Sequence, residues 1–138
     1  MAKNEEAVKK DMFGLGEKNV TYAKYFIGTS YLNGLVAPDD NIDVNVSNVN
    51  FEPGCRNDWH IHHDGFQILL VTAGEGWYQE EGKPAQLLKP GDVVAIHEGV
   101  KHWHGATKDS WFSHIAITKG TSEWLEKVDD DYYNQLTK

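Results

Sequence analysis

The sequence predicts an all-β domain of short antiparallel strands, with a short helix or arm at each end. Between residues 20 and 118, short runs rich in Val, Ile, Tyr, Phe and Trp recur at intervals of roughly ten residues. Turn residues separate these runs, and no long helical pattern interrupts them. A chain of 138 residues has room for one compact core. We therefore expect one sandwich or barrel with a single site.

The strand candidates are bounded by turn sequences rich in Gly, Pro and Asp. Asp64-Gly65 predicts a tight turn inside the histidine-rich region, so that region is divided into two strands. The candidates span residues 22–27, 42–51, 59–62, 66–73, 76–79, 85–88, 92–96, 101–106 and 111–118.

Both ends of the chain differ from this middle part in residue composition and in the spacing of apolar residues. Residues 1–18 mix charge with glycine and predict an arm with one short helix over residues 5–12. Residues 19–120 form the predicted barrel. Residues 121–138 form the predicted helical tail, in which helical spacing of apolar residues favours a helix over residues 121–136, with Asp129 available as a second cap.

The charge balance argues against several classes of partner. Thirteen Lys and Arg against 21 Asp and Glu give a net charge of −8, which repels phosphate backbones and anionic lipid. We therefore expect no nucleic-acid and no membrane partner. The sequence shows no apolar signal core and no membrane-spanning run, which favours a cytoplasmic protein. The one cysteine, Cys55, is interpreted as a small half-buried thiol.

Two pairs of histidines carry the strongest functional signal. His60 and His62 are two residues apart on a predicted strand and therefore point to the same side. His102 and His104 repeat this spacing on a later strand. Gln67 alternates with apolar residues and offers an amide oxygen as a further donor. Nitrogen and amide oxygen donors suit Mn, Fe, Co, Ni or Zn better than Ca or Mg.

The histidines also allow a less specific interpretation. A single histidine on a strand is usually packed or solvated, and His63 and His97 are interpreted that way. A surface cluster that takes up metal adventitiously remains the alternative for the two pairs. Burying several imidazoles without partners would cost about 1–3 kcal/mol each, which favours a metal site.

The histidine region resembles the two motifs of the cupin superfamily. In the first motif, His60 and His62 follow Gly54 after five residues, Gln67 stands where most members have Glu, and Gly74 ends the motif. In the second, Gly91, Gly99 and His102 keep the family spacing, with His97 in place of Pro and Ala106 in place of Asn. The resemblance implies a double-stranded β-helix, a jelly-roll barrel with its pocket in the mouth.

The resemblance also implies a set of ligands. The family's metal ligands correspond here to His60, His62, Gln67 and His102. The sequence further resembles the short bacterial cupins associated with carboxymuconolactone decarboxylases, and the manganese-dependent cupin hydroxynitrile lyases, which use three His and one Gln. We therefore expect one divalent transition metal per chain, with Mn favoured and Fe, Ni, Co or Zn possible. The resemblance implies a homodimer, and the aromatic segment 22–27 is a candidate for pairing with a second subunit.

Four neutral ligands would leave a divalent ion its full charge, which makes it a stronger Lewis acid and works against easy oxidation. His104, beside His102 but outside the ligand set, is the candidate base, although it also suits a role in orienting the site. His114 is a second catalytic candidate, since the matching position in the lyases carries His. Candidates for the pocket wall are Ser47, Val49 and Phe51.

These features favour a metal-dependent lyase, decarboxylase or isomerase that acts on a small hydroxy or carbonyl compound. A non-catalytic cupin that binds a small molecule is one alternative, and a cupin dioxygenase is another. A protein that only binds a ligand has no need of an unligated base, and a dioxygenase needs O₂.

Overall fold

The computed structural model describes residues 2–138 and shows a β-barrel with a short helix near each end. The helices are α1 (Glu5–Lys9) and α2 (Asp130–Gln135), and a 3₁₀ turn covers Ala23–Tyr25. The strands are β1 (Glu17–Lys18), β2 (Phe26–Ile27), β3 (Ser30–Val36), β4 (Asn45–Phe51), β5 (Arg56–Asn57), β6 (His60–Gly74), β7 (Gly76–Glu80), β8 (Gln86–Leu88), β9 (Val93–Ile96), β10 (His102–Ala106) and β11 (Phe112–Trp124). The all-β prediction is confirmed. Neither helix within residues 2–138 is long and apolar enough to cross a membrane.

The barrel is built around the two longest strands, β6 and β11, which pair with each other along most of their length. β11 also pairs with β4, and β4 pairs with β3, so that β3, β4, β11 and β6 form one wall. β10 pairs with β7 and with single residues of β5 and β6, and it forms the centre of the facing wall. Side chains that point inward from both walls make one core, which includes Phe51, Leu69, Ile96 and Phe112.

The two ends of the chain cover the outer faces of these walls. The arm before β1 lies on β4, where the amide groups of Asn48 and Asn50 donate to the carbonyl oxygens of Gly14 and Leu15 at 2.7 and 2.9 Å. On the other wall, Trp103 packs with Val128 and with Tyr133 of α2. Both faces of β10 are therefore buried. Packing on its outer face stabilises the strand that carries the inward-pointing side chains.

Three strands within residues 2–138 were not predicted from the sequence: β1, β3 and β5. β3 contains Asn33-Gly34, a dipeptide that favours a turn, so the local sequence does not predict a strand here. Pairing with β4 overrides the local preference, with a register shift between Gly34 and Val36. The predicted strand 22–27 is a strand only at Phe26–Ile27, because the preceding residues form the 3₁₀ turn.

The turn predicted at Asp64-Gly65 is wrong, since β6 runs without reversal from His60 to Gly74. Asp64 has a φ of 59°, and the β6–β11 register shifts between Lys119 and Thr121. The two strands therefore share a β-bulge, in which one extra residue is accommodated without breaking the pair.

The bulge decides which side chains of β6 face the core. His60 and His62 point inward, and an unbroken alternation would continue inward at even-numbered positions. The extra residue inverts the alternation, so that Gln67 and Leu69 are buried instead. The bulge thus places the Gln67 amide on the same face as the two histidines.

We expect Gly120→Ala to destabilise the protein through this bulge. Gly120 lies opposite the bulge with a φ of +91°, and an added Cβ would stand 2.2 Å from the carbonyl oxygen of His63. Backbone strain and overpacking together predict a loss of roughly 2–5 kcal/mol in the free energy of unfolding, measurable by urea denaturation.

Gly82→Ala is the matched control for this variant. Gly82 also has a positive φ, +82°, but nothing lies within 4 Å of the added Cβ. Only the backbone strain remains, so the expected loss is about 1–2 kcal/mol. Equal losses in the two variants would contradict a packing role for the bulge.

The long helix predicted over residues 121–136 is wrong at its start. β11 continues to Trp124, because residues 121–124 pair with the first residues of β6. The helix begins only at Asp130, with the Asp129 carboxylate accepting from the backbone N–H of Tyr132 at 3.1 Å. The Tyr133 hydroxyl then donates to the carbonyl oxygen of Ala106 at 2.6 Å, which ties α2 to β10.

Candidate metal centre

Two of the clustered histidines come from neighbouring strands. His60 of β6 and His102 of β10 are direct partners in the register, and their ring centroids lie 4.1 Å apart. The Nδ1–H of His60 donates to the carbonyl oxygen of Asp58 at 2.7 Å, and that of His102 donates to Val100 at 2.9 Å. Each contact places the ring proton on Nδ1 and leaves the Nε2 lone pair available. The Nε2 of His102 is buried and has no hydrogen-bond partner among residues 2–138.

His62 and Gln67 complete the group from the two sides of the bulge. The Nε2 of His62 lies 3.1 Å from the Oε1 of Gln67. The Gln67 amide nitrogen donates to the Thr118 hydroxyl at 3.0 Å, which turns the amide oxygen toward the histidines. The Nδ1 of His62 lies 3.2 Å from the hydroxyl of Ser122. Both Thr118 and Ser122 belong to β11, so this strand holds the side chains in place.

The arrangement suits a metal ion. One ligand atom from each of His60, His62 and His102 lies within 4.8 Å of the others, and all three residues are buried. The amide oxygen of Gln67 lies beside this cluster. Three imidazoles and one amide oxygen form a neutral donor set of the kind that binds divalent transition metals. The His60–His62–His102 cluster could hold such an ion, with Gln67 as the fourth candidate ligand.

Burial keeps these imidazoles uncharged. Burial lowers the pKa of His60 well below its ordinary value of 6.5, and it lowers the pKa of His102 to about 4. The pKa of His62 is lowered for the same reason. A neutral imidazole is the form that binds metal, so at neutral pH these rings are in the form that could hold an ion.

We expect the metal-free protein to lose stability as the pH falls from about 7 to about 5. In the unfolded chain the histidines protonate near pH 6.5, whereas in the folded chain His102 does so at about 4 and His114 at about 3. The unfolded state therefore binds more protons below pH 6.5, and the stability present above that value is lost progressively. These two residues together account for a loss of roughly 3–4 kcal/mol over this window, because the unfolded histidines are only partly protonated near pH 7. Urea unfolding in the presence of a chelator measures the effect, and an unchanged midpoint would contradict it.

A second pair of histidines adjoins the cluster. The Nε2 of His114 lies 3.2 Å from the Nδ1 of His104, and both rings are buried. The ring of His104 is 5.8 Å from that of His60 and 6.0 Å from that of His102, farther than those two rings are from each other. Burial lowers the pKa of both His104 and His114. His104 is thus a neutral imidazole next to the candidate metal cluster and outside it.

A cavity of about 500 Å³ opens onto these residues. Ser47 and Val49 of β4 line it. Phe51 is fully buried one layer deeper, where its ring packs against those of His104 and His114 at 5.9 and 5.5 Å. Phe51 therefore supports the second histidine pair from behind and does not belong to the cavity wall.

Comparison with known proteins places the chain in a family. A family model of the cupin domain matches residues 47–118. The chain belongs to the cupin family. An (R)-mandelonitrile lyase of Granulicella tundricola is 41% identical to this cupin over 117 residues, which cover 82% of this chain and 88% of that protein. The family prediction is confirmed, and this is a small cupin that resembles hydroxynitrile lyases.

Solved structures agree on the fold. The crystal structure of a cupin-like protein of Thermotoga maritima matches this cupin with a TM-score of 0.83 and 43% sequence identity, covering 91% of this chain and 96% of that one. A predicted oxalate decarboxylase of Thermotoga maritima matches with a TM-score of 0.67 and 20% identity, over 76% of this chain and 91% of the other. The double-stranded β-helix predicted from the motifs is confirmed.

Sequence reasoning missed several residues of the cavity wall in this cupin. Trp124 lines the cavity, where its ring centroid lies 4.5 Å from that of His60, and its ring also stacks on that of Tyr25 at 4.6 Å. The apolar pattern assigns it to the tail helix, and no local signal would place it here. Phe26 and Asn57 also line the cavity. They come from β2 and β5, which are too short to show a strand pattern.

The cavity of this cupin is nearly free of charge. Asp43 is the one charged side chain among its lining residues in the described chain, and it pairs with Lys119 at 3.0 Å near the rim. Neither arginine nor lysine lines the cavity within residues 2–138. The protein wall therefore offers no cation that would pair with a carboxylate or phosphate of a ligand.

Proposed function

We propose that this cupin is a metal-dependent lyase that cleaves a small uncharged hydroxynitrile. The observation that carries the proposal is the neutral donor set of three histidines and Gln67, next to a neutral histidine that is not part of that set. Decarboxylation or isomerisation of a small hydroxy or carbonyl compound would use the same chemistry, and hydroxynitriles are placed first because a mandelonitrile lyase is a relative.

The ligands we propose are His60, His62, Gln67 and His102, with Mn as the first candidate metal and Fe, Co, Ni or Zn as the others. A divalent ion held by four neutral ligands would supply Lewis acidity that polarises a hydroxyl or carbonyl oxygen. A carboxylate in place of Gln67 would cancel part of that charge. The neutral set therefore favours non-redox chemistry over oxygenation.

His104 is the proposed base. A neutral imidazole can take the proton of the substrate hydroxyl, and the O–H electron pair then forms the carbonyl while the bond to the nitrile carbon breaks. Cyanide leaves with the electrons of that bond and receives the proton from His104, so the products are an aldehyde or ketone and hydrogen cyanide. His114, 3.2 Å away, is proposed to share the charge that His104 acquires.

The cavity wall supports an uncharged substrate with an apolar or aromatic group. Phe26 and Trp124 supply aromatic surface, and Leu32, Val49 and Ala116 supply aliphatic surface. A carboxylate substrate would find no arginine or lysine among the described lining residues. Mandelonitrile, which combines a phenyl ring with an uncharged hydroxynitrile, suits this wall.

The test combines metal analysis with substrate assays. Protein purified without a metal-affinity tag is expected to contain about one transition metal ion per chain. Assayed against hydroxynitriles, lactones and keto sugars, it is expected to cleave mandelonitrile or a related hydroxynitrile equally well with and without O₂. Activity that disappears without O₂ would favour the dioxygenase alternative, and tight binding of a ligand without turnover would favour the non-catalytic alternative. Either result would contradict the proposal.

We also propose that the chain forms a homodimer through its aromatic N-terminal segment. β2 has one strand neighbour in the described chain, β5, and Val20 and Tyr22 before it are exposed. An open edge beside exposed apolar side chains is suited to pairing with a second copy. Light scattering after size exclusion, compared between the natural chain and Tyr22→Lys, tests this. The cytoplasmic location and the absence of nucleic-acid and membrane partners stay predictions.

A further inference from the structure

Asn57 contacts the candidate base, although the roles proposed above do not use it. This residue of β5 lies in the cavity wall and is 3% exposed. Its Oδ1 accepts a hydrogen bond from the backbone N–H of His104 at 2.9 Å. Its Nδ2 lies 3.2 Å from the Nε2 and 3.5 Å from the Nδ1 of the same ring.

The backbone contact decides how the Asn57 amide is oriented. A backbone N–H only donates, so the amide oxygen must face it and the amide NH₂ must face the imidazole of His104. The NH₂ group also only donates. The nearest ring nitrogen, Nε2, must therefore be an acceptor and carry no proton.

The other ring nitrogen has a partner of its own. A neutral imidazole carries one proton, which must then lie on the Nδ1 of His104, 3.2 Å from the Nε2 of His114. The opposite tautomer would bring two donors together at 3.2 Å inside a buried site. The proton of His114 then lies on its Nδ1, which has no hydrogen-bond partner among residues 2–138.

We infer that Asn57 is a positioning residue that keeps His104 in the tautomer with an unprotonated Nε2. A base needs an unprotonated nitrogen near the substrate. The Asn57 amide keeps the proton off Nε2, and because that nitrogen has one lone pair, the substrate hydroxyl replaces the Asn57 N–H when it donates to Nε2. The catalytic meaning of this inference depends on the proposed function, in which His104 is the base. The tautomer itself does not depend on it.

Asn57→Asp tests the inference because it alters one donor with little change in shape. One carboxylate oxygen still accepts from the backbone N–H of His104, while the other accepts where the amide donated, and this draws the ring proton to Nε2. In ¹⁵N NMR of the full chain loaded with diamagnetic Zn(II), His104 is expected to carry its proton on Nδ1 in the natural chain and on Nε2 in Asn57→Asp. The kcat for hydroxynitrile cleavage is expected to fall at least about tenfold, with KM changed by less than about threefold and metal content unchanged.

Asn50→Asp is the matched control. Asn50 is also fully buried, but it lies on the outer face of β4, where its amide donates to Leu15. The Asn50→Asp variant also introduces a buried carboxylate, but away from the site. The His104 tautomer and the kcat are therefore expected to stay as in the natural chain. A change of tautomer in this control would overturn a specific role for Asn57.

Two further results would overturn the inference: a proton on the Nε2 of His104 in the natural chain, or an unchanged tautomer in Asn57→Asp. If Asn57→Asp does not fold, Asn57→Ala removes the donor and is expected to give a mixture of both tautomers. A single Nδ1–H tautomer in Asn57→Ala would equally overturn it. The expected tautomers in a chain that cleaves no hydroxynitrile would refute the proposed function and leave the positioning by Asn57 standing.

Discussion

His104→Ala is expected to lower kcat/KM for hydroxynitrile cleavage by about 10²–10⁴-fold, while the metal content stays near one ion per chain. The physical reason is that His104 is a buried neutral imidazole beside the metal cluster, and its ring is not one of the three that converge. Removing it takes away the proton acceptor and leaves the proposed ligands in place. Steady-state kinetics and elemental analysis of the same preparation measure both quantities.

The control for this variant is His63→Ala. His63 neighbours the cluster in sequence, but its side chain points outward and contacts Glu123 at 2.7 Å. This variant is expected to keep both activity and metal. If His104→Ala lost its metal together with its activity, His104 would belong to the ligands. If it kept full activity, another residue would be the base.

His60→Ala and His102→Ala are each expected to weaken metal binding by about a hundredfold or more and to abolish turnover. Each residue presents an Nε2 lone pair to the cluster, and each ring is oriented by an Nδ1–H hydrogen bond to a backbone carbonyl. Loss of one imidazole leaves at most three candidate ligands. Competition with a metallochromic chelator, followed by elemental analysis, measures the change in affinity.

His97→Ala is the matched control for the ligand variants. His97 belongs to the same second motif as His102, but it is exposed and lies outside the clustered group. We expect its loss to leave metal affinity unchanged. Full metal content in His60→Ala, or equal loss in His97→Ala, would support adventitious binding at the surface and contradict a site inside the barrel.

Local spacing is sufficient to predict the pairs of inward-facing histidines. Residues two apart on a strand point to the same side, so the sequence alone groups His60 with His62, and His102 with His104. The structure buries all four on the inner side of the barrel. Gln67 joins the group only with help from the motif, because its face depends on the bulge at Asp64.

Pairings between distant strands account for what the sequence missed. Trp124 reaches the cavity because β11 continues beside β6, and a helical pattern of apolar residues concealed this. Asn57 lies on a strand of two residues that exists only through its neighbours β2 and β10. In each case, hydrogen bonds to a segment far away in the chain outweigh the local preference. A window of neighbouring residues contains no information about those distant partners.

The fold class, the family and the histidine pairs could be predicted from the amino-acid sequence, because strand alternation and motif spacing are local properties of the chain. Three other features became visible in the folded barrel: Gln67 shares a face with the histidines, Phe51 lies behind the cavity wall, and Asn57 contacts His104. These features depend on register and on packing between strands that are dozens of residues apart. Such contacts form only when the whole barrel closes.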